Sequence, residues 1–104
     1  MGRLVAAFSL AMMVNVAHAA DVVVAQRNHR FDPARLSVKR GDVVHFANAE
    51  NVVHHVYADG KDFAFDSGDI PPGGEFSFAF DKTGRVVVRC AIHPQMRIEI
   101  DVAE

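Results

Sequence analysis

Apolar and polar side chains alternate in short segments along most of the chain. Leu36 and Val38 alternate with polar neighbours, and Phe76, Phe78 and Phe80 follow the same period of two. This period is typical of β-strands that have one buried face. Segments rich in Gly, Pro and charged residues interrupt the pattern at residues 40–42, 58–62, 71–74 and 81–84. Such clusters form turns.

The alternating segments predict an all-β domain. No stretch after residue 20 indicates an amphipathic helix, and about seven or eight short strands account for the pattern. That number of short strands is typical of an antiparallel β-sandwich or barrel. Its core is predicted to contain Phe31, Val44, Phe46, Phe63, Phe65, Phe76, Phe78, Phe80, Val86 and Val88.

The N-terminal segment has a different character. Arg3 provides a positive start, residues 4–16 are apolar apart from two polar positions, and residues 17–19 read Ala-His-Ala. A basic start, a short apolar run and a small-x-small site are typical of a secretory signal peptide. An N-terminal anchor or a buried helix is the alternative, but the run is shorter than the roughly 20 residues that span a bilayer.

We therefore expect residues 1–19 to be a cleaved signal peptide and residues 20–104 to form one domain. Cleavage is expected after Ala19 or Ala20. The mature protein is then expected in the periplasm, as a monomer with no membrane span.

Composition narrows the classes of function. The chain has 104 residues and a formal net charge of −2, without a basic run that would suggest nucleic-acid binding. It has one cysteine, Cys90, so it cannot form an internal disulfide. A lone thiol in an oxidising compartment is open to oxidation. A metal bond would protect it and would add stability to a domain of this small size.

The segment around Cys90 carries the candidate chemistry. His93 and Met96 follow it at steps of three, and Pro94 stiffens the loop. A thiolate, an imidazole and a thioether together suit copper better than magnesium, calcium or manganese, which prefer oxygen ligands. The segment lacks a second imidazole, which must come from elsewhere in the chain.

Five further histidines could supply that imidazole. His18 leaves with the signal peptide, and the patterns around His29 and His45 predict solvated surface side chains. His54 and His55 are adjacent, so in a strand they point to opposite faces. Both faces carry mixed side chains, so periodicity leaves the choice between them open.

With these residues, the chain resembles the cupredoxins, which are small blue-copper proteins. Among them it looks most like amicyanin and the related plastocyanin-like proteins of methylamine utilisation. Residues 90–96 match the family pattern Cys-x-x-His-Pro-x-Met, with the short amicyanin-type spacing before Met96. Phe46-x-Asn48, followed after five residues by His54, matches the upstream pattern. Further landmarks are Phe31-x-Pro33, residues 41–46 and residues 65–68. The resemblance covers essentially the whole mature chain.

The resemblance implies a Greek-key β-sandwich that binds one type 1 copper ion. It implies that His54, Cys90 and His93 form the trigonal plane of ligands and that Met96 is the weak axial ligand. It also implies that electrons enter and leave through His93.

The chain departs from the family at two positions beside the ligands. Members of the family usually have Asn after the first ligand His, and its side chain bonds to the residue that follows Cys. Here these positions are His55 and Ala91. Because outer-shell hydrogen bonds orient ligands and tune the metal, these two changes are expected to affect the rigidity and the reduction potential of the site.

The leading hypothesis is a soluble electron carrier, and not an enzyme. The resemblance suggests redox partners such as an amine dehydrogenase or a c-type cytochrome. A copper oxidase or nitrite reductase would need further copper with His-x-His pairs, which the chain lacks. The alternative is a periplasmic copper-binding or delivery protein without redox turnover, although Met96 is the only methionine left after cleavage. Structural zinc is disfavoured because a thioether is a poor zinc ligand.

Overall fold

The computed structural model describes Gly2 and residues 18–104, and nine β-strands run through this part of the chain. They are β1 (Asp21–Arg27), β2 (Arg30–Asp32), β3 (Arg35–Lys39), β4 (Val43–Asn48), β5 (Val56–Asp59), β6 (Ala64–Asp66), β7 (Glu75–Ala79), β8 (Gly84–Cys90) and β9 (Arg97–Ala103).

The strands form the two sheets of a β-sandwich, as the sequence predicts. One sheet has the order β2-β1-β4-β7, and the other has the order β3-β9-β8-β5-β6. Most neighbouring strands are antiparallel, but β1 pairs with β4 in parallel and β3 pairs with β9 in parallel. Each sheet is therefore mixed rather than purely antiparallel. A period of two reports which face is buried and carries no information on strand direction.

The structure contains nine strands where about seven or eight are expected. One of them is the short strand β2 around Phe31. Val52 lies in an irregular segment, and β5 begins only at Val56. Here the carbonyl oxygen of Val52 accepts a 2.8 Å hydrogen bond from Nδ2 of Asn48, so a side chain and not a neighbouring strand satisfies this backbone group.

The core lies between the sheets and contains the predicted aromatic residues. Phe31, Phe46, Phe63 and Phe80 are buried. Phe65, Phe76 and Phe78 are half-buried and pack against the core. Phe65 and Phe78 also pack on each other, with 4.4 Å between their ring centroids. The ten residues predicted for the core all belong to it or pack on it.

One end of the sandwich, which we call the Cys90 end, collects the candidate ligands. Parallel pairing brings the last residues of β1 and β4 together, because Gln26 is the register partner of Asn48. Antiparallel pairing brings the end of β8 beside the start of β5, because Cys90 is the register partner of Val56. The loops that carry His54 and His93 therefore start or end at this edge.

The expected signal peptide covers residues 1–19. Of these, the structure describes only Gly2, His18 and Ala19, so the signal peptide stays a prediction. Within the described residues, no helix has the length and apolar character needed to cross a membrane.

Candidate metal centre

His54 and Cys90 lie side by side in the interior. His54 is fully buried and Cys90 is 1% exposed. The backbone of His54 forms an antiparallel bridge to Ile70, with N–H···O distances of 3.1 and 2.7 Å in the two directions. This bridge fixes the imidazole at the edge of the sheet, where its Nδ1 lies 3.7 Å from Sγ of Cys90.

His93 completes a triangle of donor atoms. Its Nδ1 lies 3.8 Å from Sγ of Cys90, and the three ligand atoms of His54, Cys90 and His93 all lie within 4.8 Å of one another. The ring of His93 is half-buried and so forms the outer edge of the triangle.

These separations fit one metal ion. With bonds of about 2.0 Å to nitrogen and about 2.3 Å to sulfur, a nitrogen and a sulfur donor at 120° to each other stand about 3.7 Å apart. The two N–S distances of 3.7 and 3.8 Å match this value. Two imidazoles and a thiolate are the planar donor set of type 1 copper sites.

Met96 lies at the end of the same loop. It is 1% exposed and belongs to the same buried cluster as Cys90. Its backbone amide donates a 2.9 Å hydrogen bond to the carbonyl oxygen of His93, which closes the loop between the two residues. Met96 thus enters the core directly before β9.

Glu50 is a site residue that the sequence does not reveal. Its Oε1 accepts a 3.1 Å hydrogen bond from Nε2 of His54, and its side chain is only 12% exposed. A carboxylate on Nε2 fixes the tautomer and leaves the lone pair of Nδ1 free for a metal. Glu50 lies in an irregular loop, where its spacing of four from His54 has no predictive value.

The protonation states agree with this arrangement. Burial lowers the pKa of His54, although the hydrogen bond to Glu50 opposes the shift. Burial raises the pKa of Glu50, but the hydrogen bonds from the His29 amide and from His54 outweigh it, and the net shift is downward. A neutral imidazole and an ionised carboxylate are the forms that metal binding requires.

His29 also lies at the site, although the sequence predicts a solvated surface residue. Its side chain is 50% exposed, yet its ring centroid is 4.6 Å from that of His93 and 6.5 Å from that of His54. Asn28 and His29 have φ values of 54° and 55° and form the two-residue turn between β1 and β2. Such a turn tightly reverses the chain, and here it carries His29 to the Cys90 end.

His55 supports Cys90 by its backbone. Its amide lies 3.4 Å from Sγ of Cys90, and its carbonyl oxygen accepts a 2.8 Å hydrogen bond from the Ala91 amide. Its ring is held by Asp66, which bonds to Nε2, and by Asp69, 3.6 Å from Nδ1. A backbone hydrogen bond thus joins the loops that carry His55 and Ala91, and two carboxylates hold the His55 ring.

Comparison with known proteins agrees with this geometry. No protein-family model matches the chain. The chain is 33% identical over 98 residues to the methylamine utilization protein MauL of Methylorubrum extorquens, a match that covers 93% of this chain and 86% of the relative. The chain belongs to the cupredoxins of the methylamine-utilisation type.

Solved structures support the same assignment. Two methionine-to-alanine mutants of amicyanin, both in the Cu(I) form, align with TM-scores of 0.74 and 0.75 and identities of 26% and 27%. Each alignment covers 85% of this chain and 86% of the amicyanin chain. The copper-containing nitrite reductase of Thermus scotoductus aligns with a TM-score of 0.76 at 24% identity, over 25% of its own length, and shares the fold.

The cofactor of this cupredoxin is copper, which the relatives in the Cu(I) form contain and which the His54–Cys90–His93 cluster suits. The family consists of electron-transfer proteins, and the cupredoxin is not an enzyme.

Proposed function

We propose that this cupredoxin is a soluble periplasmic carrier that moves single electrons between two redox proteins. In this proposal, one type 1 copper ion is held by His54, Cys90, His93 and Met96. The observation that carries the proposal is the closed, largely buried triangle of two imidazole nitrogens and one sulfur. When bound, copper supplies reversible one-electron chemistry between Cu(I) and Cu(II).

The residues around the site keep the ligands in place. The His54 backbone is bonded to Ile70 and its ring to Glu50, so it is held at two points. The His55 amide points a hydrogen-bond donor at the thiolate sulfur. Ligands that are fixed before binding rearrange little when the charge of the site changes, which favours electron transfer over chemistry on a substrate.

His93 is the proposed point of electron exchange. It is half-buried, whereas His54 is fully buried. Apolar residues adjoin both ligands in the chain: Val52 and Val53 before His54 are 36% and 38% exposed, and Ile92 before His93 is 48% exposed. Exposed apolar side chains beside the outer ligand suit a weak, short-lived contact with a redox partner.

The partners and the location are part of the proposal. A relative that serves methylamine utilization suggests an amine dehydrogenase as donor and a c-type cytochrome as acceptor. The basic and apolar start of the chain, with Ala19 or Ala20 as the cleavage point, supports export to the periplasm. The mass of the exported chain would test the cleavage point.

Copper loading tests the proposal directly. Purified protein loaded with Cu(II) should become intensely blue, and the colour should vanish and return on reduction and reoxidation. Cys90→Ser should abolish the colour, and His54→Ala should bleach it while His55→Ala leaves it. A colourless wild-type protein would contradict the type 1 site. A blue protein that cannot be reduced and reoxidised reversibly would favour copper delivery over electron transfer.

A further inference from the structure

Two arginines oppose each other at the tip of the β1–β2 hairpin. Arg27 is the register partner of Arg30, on either side of the Asn28–His29 turn. The preceding pair, Gln26 and Phe31, is buried, so Arg27 and Arg30 lie on the other, exposed face of the hairpin.

This pair is unfavourable for folding. Like charges directly opposite each other on two strands destabilise a sheet. Among the described residues, neither Arg27 nor Arg30 forms an ion pair. Asp32 lines the same surface hollow of about 510 Å³ but lies beyond salt-bridge distance of both.

Four other arginines of the sandwich are compensated. Arg35, Arg40, Arg85 and Arg97 each lie within 3.2 Å of a carboxylate oxygen. Arg97 also opposes an arginine, Arg89, but its guanidinium is bonded to Glu99. Within residues 18–104, the hairpin pair therefore stands out as two opposed guanidinium groups of which neither forms an ion pair.

The hairpin tip adjoins the proposed point of electron exchange. The ring of His29, which directly precedes Arg30, packs against the ring of His93 with a centroid distance of 4.6 Å. A molecule that binds Arg27 and Arg30 would thus be held beside His93. The chain as a whole has a net charge of −2, opposite in sign to this pair of arginines.

We propose that Arg27 and Arg30 form a docking site for acidic side chains on the redox partner, and that His29 lies between this site and His93. The inference rests on the proposed function. Guanidinium groups bind carboxylates with paired hydrogen bonds, which sets the orientation of a partner. Opposite charges also accelerate encounter, and salt weakens this effect.

The test uses the copper-loaded protein and two small oxidants of opposite charge. Anionic hexacyanoferrate(III) stands for an acidic partner surface, and cationic tris(phenanthroline)cobalt(III) stands for a basic one. In Arg27→Gln/Arg30→Gln, oxidation of the reduced protein by hexacyanoferrate should slow about three- to tenfold at low ionic strength. Oxidation by the cobalt complex should not slow, and the hexacyanoferrate difference should disappear at about 1 M salt.

Lys61→Gln/Lys82→Gln is the matched control. It removes the same charge from two exposed lysines in turns at the opposite end of the sandwich. If oxidation by hexacyanoferrate slows equally in this control, only net charge matters and the docking site is overturned. The docking site is also overturned if the arginine variant reacts more slowly with both oxidants. The same holds if its slower reaction with hexacyanoferrate persists in high salt.

The outcomes separate the two proposals. A wild-type protein that exchanges electrons with neither oxidant would overturn the proposed function, and the docking site with it. A redox-active wild type whose arginine variant behaves like the lysine control would overturn the docking site alone. Reduction potentials of all three proteins, measured in parallel, remove any difference in driving force from the comparison.

Discussion

The carboxylate of Glu50 holds the imidazole of His54 by a 3.1 Å hydrogen bond to Nε2. The same carboxylate oxygen accepts a 2.8 Å bond from the backbone amide of His29. One largely buried acidic side chain thus ties the innermost imidazole to the hairpin that packs on His93.

Removal of this carboxylate should weaken copper binding. Glu50→Ala should raise the dissociation constant for copper about 10- to 100-fold, because the His54 ring loses its anchor. Glu50→Gln should lose less, since its amide oxygen can still accept the bond. Competition with a chelator of known affinity measures both dissociation constants. Glu104→Ala, which removes an exposed carboxylate at the end of the chain, is the control. A wild-type copper affinity in Glu50→Ala would show that Glu50 does not anchor His54.

The clamp on His55 should tune the potential. Asp66→Ala removes one of the two carboxylates that hold the ring of His55 and should loosen the N–H···S contact from its amide to Cys90. A hydrogen bond to the thiolate favours Cu(I), and its weakening by about 0.5–1.5 kcal/mol corresponds to a fall of roughly 20–60 mV for one electron. Protein-film voltammetry measures the shift. Asp81→Ala, in the β7–β8 turn, should leave the potential unchanged, and no shift in Asp66→Ala would refute the clamp.

Gln26 and Asn48 should respond in opposite ways to an apolar substitution. Both are buried and adjacent in register. Asn48 donates to the carbonyl oxygens of Val52 and Ile70 and accepts from the Glu50 amide. Neither polar atom of the Gln26 side chain has a hydrogen-bond partner within the described residues.

Gln26→Met should therefore raise the free energy of unfolding by about 1–3 kcal/mol, since it removes an unsatisfied buried amide at similar volume. Asn48→Leu should lower it by about 3 kcal/mol, because three hydrogen bonds of about 1 kcal/mol each are lost. Urea unfolding of the metal-free proteins provides both values, with unchanged m-values as a check on the two-state assumption. If Gln26→Met instead lowered the free energy of unfolding, the side-chain amide of Gln26 would have hydrogen-bond partners in the folded protein.

His45 should make stability depend on pH. Its Nε2 lies 2.8 Å from Oδ1 of Asp21 and its Nδ1 lies 3.2 Å from Oε1 of Glu75. The hydrogen bond to Asp21, opposed by desolvation and aided by Glu75, raises the pKa of His45 above its ordinary value of 6.5. A raised folded-state pKa stabilises the fold fully below the unfolded pKa, and this contribution is lost as the pH rises through the folded pKa.

The difference in unfolding free energy between wild type and His45→Gln should thus be largest near pH 5.5 and should shrink above pH ~6.5. The carboxylates are solvent-exposed, so the effect should be small and should decrease in salt. Chemical denaturation of the metal-free proteins at several pH values measures it. A difference that grows with pH would reverse the assigned sign.

Much of the fold follows from local pattern. The period of two at Phe76, Phe78 and Phe80 predicts a strand with one inward face, because burial on a pleated strand must alternate. The expected core residues all reached or adjoined the core for this reason. The parallel pairs were not predictable, since pairing direction depends on where distant segments meet.

At the site, the sequence alone determined the chemistry. Cys90, His93 and Met96 lie within seven residues, so their grouping is a property of one loop, and their softness indicates copper. The upstream family pattern already indicated His54, which lies 36 residues before Cys90. Only the tertiary structure showed that Glu50 and His29 also reach the site, from an irregular loop and a hairpin turn. Such contacts depend on the packing of two sheets and on single turns, which leave no periodic signal in the chain.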